Sequence, residues 1–287
     1  MKFQLPQPGA RSDCFARLSA FATQFDTTWP QTPQPAAPQD IAALQRETPD
    51  PFRYRWPPEY VWFAQHFGTC GLSLSFRLDL TLPPIGQNSL NHGLPPSSPY
   101  LFIGQAWIAS PFLAYLRTAV GAEPQLVWVP VRAVKAPCSQ AANTLEQLLF
   151  ASVFLDQAYE EYPWKATCTL DAHSPIVQRL QEHLTGCLED TLCAALMATY
   201  ASVLVDQSFQ RGWFSTNTDQ FWFRGDTCVL LSRNWDADGI WDLVVGRIGS
   251  YDPAQGEAIA AHMERIGFTC KPGLDSILNA PLQGGTP

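Results

Sequence analysis

The sequence is poor in charge and lacks the short motifs by which many enzymes are recognised. Charged residues make up 15% of the 287 positions, whereas apolar residues make up 46%, a balance typical of a globular protein with a substantial core. The chain contains no G-x-S-x-G, no P-loop and no G-x-G-x-x-G stretch. These absences exclude the active sites that those motifs build, although residues brought together only in space can still form one.

Long apolar runs are also missing. No segment reaches 18 consecutive apolar residues, and Met1 to Ala10 is polar and contains proline, whereas a secretory signal is basic and then apolar. We therefore expect no membrane span and no signal peptide, and we expect the protein in the cytoplasm. The formal charge of −8 argues against non-specific binding to nucleic acid or to anionic membranes, which basic patches mediate.

Eight cysteines occur without any C-x-x-C pair, at positions 14, 70, 138, 168, 187, 193, 228 and 270. In the absence of a signal peptide we interpret them as reduced thiols that pack as small apolar side chains, with a disulfide framework as the alternative. The five histidines show no H-x-x-x-H or H-E-x-x-H spacing. The sequence therefore predicts no metal site, and nothing in it indicates a cofactor.

The order of local patterns predicts three segments. Residues 1–39 hold an amphipathic helix over 11–26 and a proline-rich linker over 29–38. Residues 40–165 and 171–287 each mix helical and strand patterns, and these come in blocks rather than in strict alternation. Helices and strands that are grouped in this way favour an α+β fold, in which helices pack on one face of an antiparallel sheet. We expect the region 171–287 to be a C-terminal α+β extension.

Individual elements are predicted from apolar spacing and from helix and turn signals. In the middle segment we expect helices over 41–47, 57–68 and 143–157, strands over 72–80, 100–104 and 125–131, and either a helix or a strand over 110–120. In the last segment we expect helices over 174–187, 189–209 and 253–266, strands over 212–216, 220–224, 227–233 and 240–248, and a loose tail from Lys271.

Five of these parts follow one another in the order of a known family. They are a short acidic helix at 42–47, a helix at 57–68 that starts Pro-Pro-Glu-Tyr and ends in glycine, a strand ending at Ile103-Gly104, a proline-led strand at 124–129, and a polar-capped helix at 143–149. The stretch from about Ile41 to Gln157 therefore resembles the SUKH superfamily, which includes fungal cell-wall regulators and bacterial immunity proteins. The resemblance implies an α+β module that is not an enzyme and that sequesters a partner toxin or enzyme.

Residues 234–242, with the sequence Asn-Trp-Asp-Ala-Asp-Gly-Ile-Trp-Asp, form the most site-like segment. They match the first nine positions of a calcium loop, but the twelfth position is Val245 rather than the bidentate glutamate that such loops need. Asp-Gly between two apolar runs is a strong hairpin signal. We therefore predict a β-hairpin here, with a calcium loop as the alternative.

Trp235, Asp236, Asp238 and Trp241 are the candidate partner-binding residues of this hairpin. Two large aromatic side chains beside two acids form an anchor with an acidic rim, which suits a basic protein surface such as that of a toxin or enzyme. In the alternative, both tryptophans point into the core and the acids only keep the turn soluble. The alternative functions are an enzyme, either a hydrolase or a transferase with a dispersed site, and a scaffold that regulates through its proline-rich segments.

Overall fold

The structure is a computed structural model of the chain. It describes residues 2–26, 29, 36–39, 41–42, 56–66, 72–74, 78–80, 95, 97–105, 111–117, 124–130, 139–170, 175, 177–179, 189–235 and 241–273. The helices of this part are α1 Cys14–Ala22, α2 Pro58–His66, α3 Leu145–Val153, α4 Glu189–Asp206 and α5 Pro253–Arg265. A 3-10 turn, Arg11–Asp13, precedes α1, and α3 continues as a π-helical segment, Phe154–Ala158, and a 3-10 turn, Tyr159–Glu161.

Two six-stranded antiparallel sheets accompany these helices, which confirms the predicted α+β class. The first sheet is a meander in chain order, made of β1 Leu72–Leu74, β2 Leu78–Leu80, β3 Tyr100–Gln105, β4 Pro111–Leu116, β5 Gln125–Pro130 and β6 Ser139–Ala142. The second sheet has the order β12-β7-β11-β10-β9-β8. Its strands are β7 Trp164–Leu170, β8 Gln210–Arg211, β9 Asp219–Arg224, β10 Thr227–Trp235, β11 Trp241–Ser250 and β12 Phe268–Pro272.

The first sheet packs its helices on one face, as the sequence predicts. Alternate side chains of its central strands share one buried core with the apolar faces of α2 and α3; they are Leu101, Ile103, Leu113, Tyr115, Leu126, Trp128, Tyr60, Phe63, Leu148 and Leu149. The ambiguous segment 110–120 contains strand β4. The single strand expected over 72–80 is instead two short strands that pair with each other, a difference that the unbroken alternation of this stretch does not reveal.

The second sheet is buried on both faces. One face, with Phe221, Phe223, Cys228 and Leu230, belongs to the same core as α3. The opposite face packs with α4 and α5 in a separate core that includes Trp222, Val229, Leu231, Ile248, Leu196 and Met263. Helix α5 links β11 to β12, and both of those strands pair antiparallel with β7, which lies between them. The connection from β11 through α5 therefore crosses over β7.

Several expectations for the C-terminal region are wrong. Residues 212–216 form a turn and not a strand. Their apolar side chains do not alternate along a sheet, because Phe214 is buried in the core. The tail expected to be loose from Lys271 begins inside strand β12. Strands β6, β7 and β12 are absent from the predicted elements; β7 and β12 alternate apolar and polar residues, as Trp-Lys-Ala-Thr-Cys-Thr-Leu and Phe-Thr-Cys-Lys-Pro, whereas β6 is a short Ser-Gln-Ala-Ala run. The helix expected over 174–187 lies largely outside the described residues.

Cys168 on β7 and Cys270 on β12 form a disulfide, and their Cα atoms are 4.0 Å apart. The prediction of reduced thiols is wrong for this pair, because the register of the two strands places residues 102 positions apart directly opposite each other. Cys14, Cys193 and Cys228 lie outside this disulfide and are buried, which confirms for them the prediction of packing as small apolar side chains. The other three cysteines lie outside the described residues.

A test of the first core is the substitution Phe63→Ala. Phe63 is 1% exposed and lies in the core that joins α2 to the first sheet, so its truncation should lower the free energy of unfolding by roughly 3–5 kcal/mol. The control is Gln65→Ala on the exposed face of the same helix, which should change it by less than about 0.5 kcal/mol. Urea unfolding measures both; a loss under about 1 kcal/mol for Phe63→Ala would place α2 outside the core.

A second test concerns Gly256, a buried glycine in α5. A Cβ added there would lie 2.6 Å from Cζ3 of Trp164, so Gly256→Ala should lower the free energy of unfolding by about 1–3 kcal/mol. The usual gain from alanine in a helix, about 1 kcal/mol, opposes this loss. In a Trp164→Ala background the same substitution should become neutral or stabilising. Equal effects in both backgrounds would show that the indole does not require the glycine.

Candidate functional site

The hairpin predicted around residues 234–242 is present in the second sheet. Strands β10 and β11 pair antiparallel from Thr227↔Ser250 to Trp235↔Trp241, which confirms the hairpin. Residues 236–240, including Asp236 and Asp238, lie outside the described residues, as do the side chains of Trp235 and Trp241. The structure therefore brings the two tryptophan backbones together as a cross-strand pair at the end of the ladder.

The ladder of this hairpin extends past the ladders that it makes with its described neighbours. The ladder between β10 and β9 ends at Ser232↔Asp219, and the ladder between β11 and β7 ends at Val245↔Thr169. Beyond those pairs, β10 and β11 continue to pair through Arg233↔Val244 and Trp235↔Trp241, while the Arg233 N–H donates to the Thr218 carbonyl and Val244 is buried in the second core. We call residues 233–235 and 241–244, together with the turn that joins them, the ribbon. A register shift between Arg233 and Trp235 marks a bulge, a feature that bends and twists a strand pair.

The base of the ribbon is braced by a buried polar cluster. Asp219 accepts hydrogen bonds from the hydroxyl groups of Ser232 and Thr218 at 2.6 and 2.9 Å. Its own backbone N–H donates to Oγ1 of Thr216 at 2.9 Å, and the Arg233 N–H donates to the Thr218 carbonyl at 2.9 Å. Because these groups satisfy one another, the ribbon starts from a fixed support, as a binding element on a rigid scaffold requires.

The other concentration of charge lies at the N-terminus of α3. The N–H of Leu145 donates to Oε2 of Glu59 at 2.8 Å, and Thr144 caps the helix by accepting from the N–H of Gln147 at 3.1 Å. Glu146, in the first turn of the helix, forms an ion pair with Arg17. Carboxylates are favoured at this position because the unpaired N–H groups make a helix N-terminus positive.

Glu59 comes from the Pro-Pro-Glu-Tyr segment of α2, and sequence reasoning missed its role. Arg11 Nη2 lies 3.4 Å from Glu59 Oε1, so the carboxylate joins the N-terminal segment to α2 and α3. The sequence does not identify this link, since Glu59 and Leu145 are 86 positions apart. A glutamate just after two prolines is also the ordinary composition of a first helical turn.

Burial and neighbouring charges determine protonation in this cluster. Burial raises the pKa of Glu59 above its usual value of 4.5, and the Glu146 charge adds to the rise, while the Leu145 N–H and Arg11 oppose it. Burial, reinforced by Glu146, raises the pKa of Cys14 to about 12. The Cys14 thiol is therefore protonated at neutral pH, and it lacks the thiolate that nucleophilic chemistry requires.

Arg17 uses the same cluster to hold the N-terminal segment. Its guanidinium donates to the carbonyl groups of Gln7 and Ala10 at 2.8 and 3.3 Å. It also lies 5.6 Å from the ring centre of Phe150 and 5.7 Å from that of Trp213, within the range of a cation–π contact. Because its contacts are to backbone, to aromatic rings and to Glu146, we assign this cluster a structural role.

Neither described histidine belongs to a metal centre. His66 Nδ1 lies 2.9 Å from the Trp62 carbonyl oxygen, and His262 Nδ1 lies 3.1 Å from Arg265 Nη2. Across the described ranges no group of three or more His, Cys, Asp and Glu side chains is arranged to hold a metal ion. In the same part of the chain no helix combines the length and the apolar character needed to cross a membrane.

Comparisons with models of protein families, with curated proteins and with solved structures gave no match to this chain.

The Glu59 cluster generates a test based on pH. A raised carboxyl pKa means that the folded state binds the proton more tightly than the unfolded state does, so stability is lost as pH rises from 4.5 through the raised value. Glu59→Gln keeps an acceptor for the Leu145 N–H and removes the ionisation. The stability of the variant relative to the wild type should therefore increase with pH over that interval and then level off.

Urea unfolding between about pH 4 and pH 8 measures this difference. Glu257→Gln, on the exposed face of α5, is the matched control and should show little dependence on pH. If the relative stability of Glu59→Gln fell as pH rose, the ionised form of Glu59 would be the one that the fold favours.

Proposed function

We propose that this chain is a non-enzymatic protein-binding module of the immunity type, which sequesters a partner toxin or enzyme with a basic surface. The observation that carries the proposal is the ribbon. Its two strands continue to pair past the ladders with β9 and β7 and end in the Trp235↔Trp241 pair. A strand pair with a fixed base loses little entropy on binding, and preorganisation of this kind favours affinity.

The chemistry of the ribbon supports a protein partner. Its sequence combines Trp235 and Trp241 with Asp236 and Asp238, and tryptophan is among the residues that most often dominate the energy of an interface. The acids, together with the formal charge of −8, would attract a basic surface and raise the rate of encounter. In the alternative, both tryptophans pack into the core. The binding affinity and melting temperature of a Trp241 variant distinguish this alternative from the proposal.

The order of elements supports the SUKH-like part of the proposal. Helix α2 with its Pro-Pro-Glu-Tyr start, the six-stranded meander and helix α3 follow one another as the resemblance leads us to expect. We propose the cytoplasm as the location, in keeping with the polar N-terminal sequence. The disulfide does not contradict this location, because cytoplasmic disulfides form transiently and often sense redox conditions.

The proposal is tested with the protein encoded beside this chain's gene, which an immunity protein is expected to bind. The variant Asp236→Asn with Asp238→Asn should reduce the association rate by about threefold or more at low ionic strength, and the difference should shrink as salt is added. The melting temperature should stay nearly unchanged. Kinetic binding at several salt concentrations measures the rates.

The matched control is Glu257→Gln with Glu264→Gln, which removes the same charge from the exposed face of α5. It should leave the association rate close to that of the wild type. If both double variants slow association equally, only net charge matters and the ribbon is not the interface. If the wild-type chain does not bind the neighbouring gene product, the immunity proposal is wrong.

Truncation of Trp241 separates an anchor from a core residue. Trp241→Ala should weaken binding by about 30-fold, corresponding to about 2 kcal/mol, if the indole is an interface anchor. Its melting temperature should then fall by little. A large fall in melting temperature with unchanged affinity would show that the tryptophans pack inward and that the interface lies elsewhere.

A further inference from the structure

Strand β12 is attached to the second sheet by a covalent bond. Cys270 lies directly opposite Cys168 of β7 in the strand register, and the disulfide between them spans 102 positions of sequence. The closed loop contains α4, strands β8 to β11 and α5. One bond therefore joins β7 and β12, which are the first and last strands of the second sheet in chain order and neighbours within it.

Strand β12 pairs with a single neighbouring strand. It forms one edge of the sheet and is five residues long. Its side chains at Thr269, Lys271 and Pro272 are exposed, and proline has no N–H to donate. The buried side chains of the strand are Phe268, whose ring centre lies 4.5 Å from that of Tyr200, and Cys270.

We propose that the Cys168–Cys270 disulfide is a redox lock on strand β12. When the bond is formed, β12 covers the edge of β7. When a dithiol reductant transfers two electrons and two protons, the bond opens to two thiols, the reductant becomes a disulfide, and β12 separates from β7. Separation exposes the hydrogen-bonding edge of β7 and apolar side chains of the core shared with Phe268, including Leu170 of β7 and Met263 of α5.

The position of the bond permits this exchange. Cys168 is fully buried on an inner strand, whereas Cys270 is 9% exposed on the edge strand. A thiolate must reach one of the two sulfur atoms, and the edge sulfur of Cys270 is the more accessible. The first product is a mixed disulfide at Cys270, and the second thiol of the reductant resolves it and frees both cysteines.

The other described cysteines lie outside this disulfide. Cys14, Cys193 and Cys228 are buried, and burial raises the pKa values of the Cys14 and Cys228 thiols. Thiols held protonated in an apolar core react slowly with glutathione disulfide. Among the described cysteines we therefore assign the effect of a dithiol to the Cys168–Cys270 pair.

The experiment measures hydrogen exchange of the full chain after oxidation with glutathione disulfide and again after incubation with dithiothreitol. Peptide mapping without reduction first tests for the linked peptides that contain Cys168 and Cys270. On reduction, amides of residues 268–273 and 165–170 should exchange at least about tenfold faster. Amides of residues 219–224 in β9, on the far side of the sheet, should exchange at an unchanged rate.

The double variant Cys168→Ser with Cys270→Ser provides the control. It should show fast exchange at 268–273 under both conditions, with no response to dithiothreitol. If the linked peptides are absent after oxidation, or if the wild-type exchange rates at 268–273 do not change on reduction, the lock does not exist. If the variant fails to fold, the wild-type comparison alone decides between these outcomes.

Discussion

Burial of helix α3 between the two sheets is the constraint on which the rest of the structure depends. Along its length, α3 and its π-helical continuation contribute to one core with both sheets. Phe154 is central to this core, because its ring centre lies 5.1, 5.4 and 5.6 Å from those of Phe221, Phe223 and Phe214. A helix that is apolar on nearly every side is stable only when it is surrounded, so the two sheets and α3 require one another.

Both ends of this buried helix need polar partners, and the partners come from distant parts of the chain. At the N-terminus Glu59 accepts from Leu145, and Arg17 pairs with Glu146. Near the other end, the hydroxyl group of Tyr159 donates to the Ile248 carbonyl of β11 at 3.1 Å. These charged and hydroxyl groups therefore support α3.

The two glycine contacts show how the second sheet fits around aromatic residues. An added Cβ at Gly249 would lie 2.7 Å from the ring of Tyr162, and the one at Gly256 would meet Trp164. Tyr162 and Trp164 lie where the chain leaves the α3 segment and enters β7. The glycines thus allow β11 and α5 to approach this junction closely, which fixes the sheet against the helix whose burial it completes.

Much of the architecture was predictable because its signals are local. Apolar spacing indicated α1, α2, α3 and α5, and Asp-Gly between apolar runs indicated the β10–β11 hairpin. Short apolar runs also indicated β3 and β5 of the first sheet, and alternation indicated the stretch that forms β1 and β2. The candidate binding residues Trp235, Asp236, Asp238 and Trp241 come from the sequence alone and stay a prediction.

The sequence by itself therefore determined the α+β class, most helices and the hairpin, because each depends on residues a few positions apart. Only the tertiary structure decided that the β10–β11 ladder runs past the ladders with β9 and β7, that Glu59 caps a helix 86 positions away, and that Cys168 meets Cys270. It also decided that β12 pairs with β7, because alternation marks each strand but does not identify its partner. Strand register and long-range caps depend on which surfaces pack together, and no local pattern contains that information.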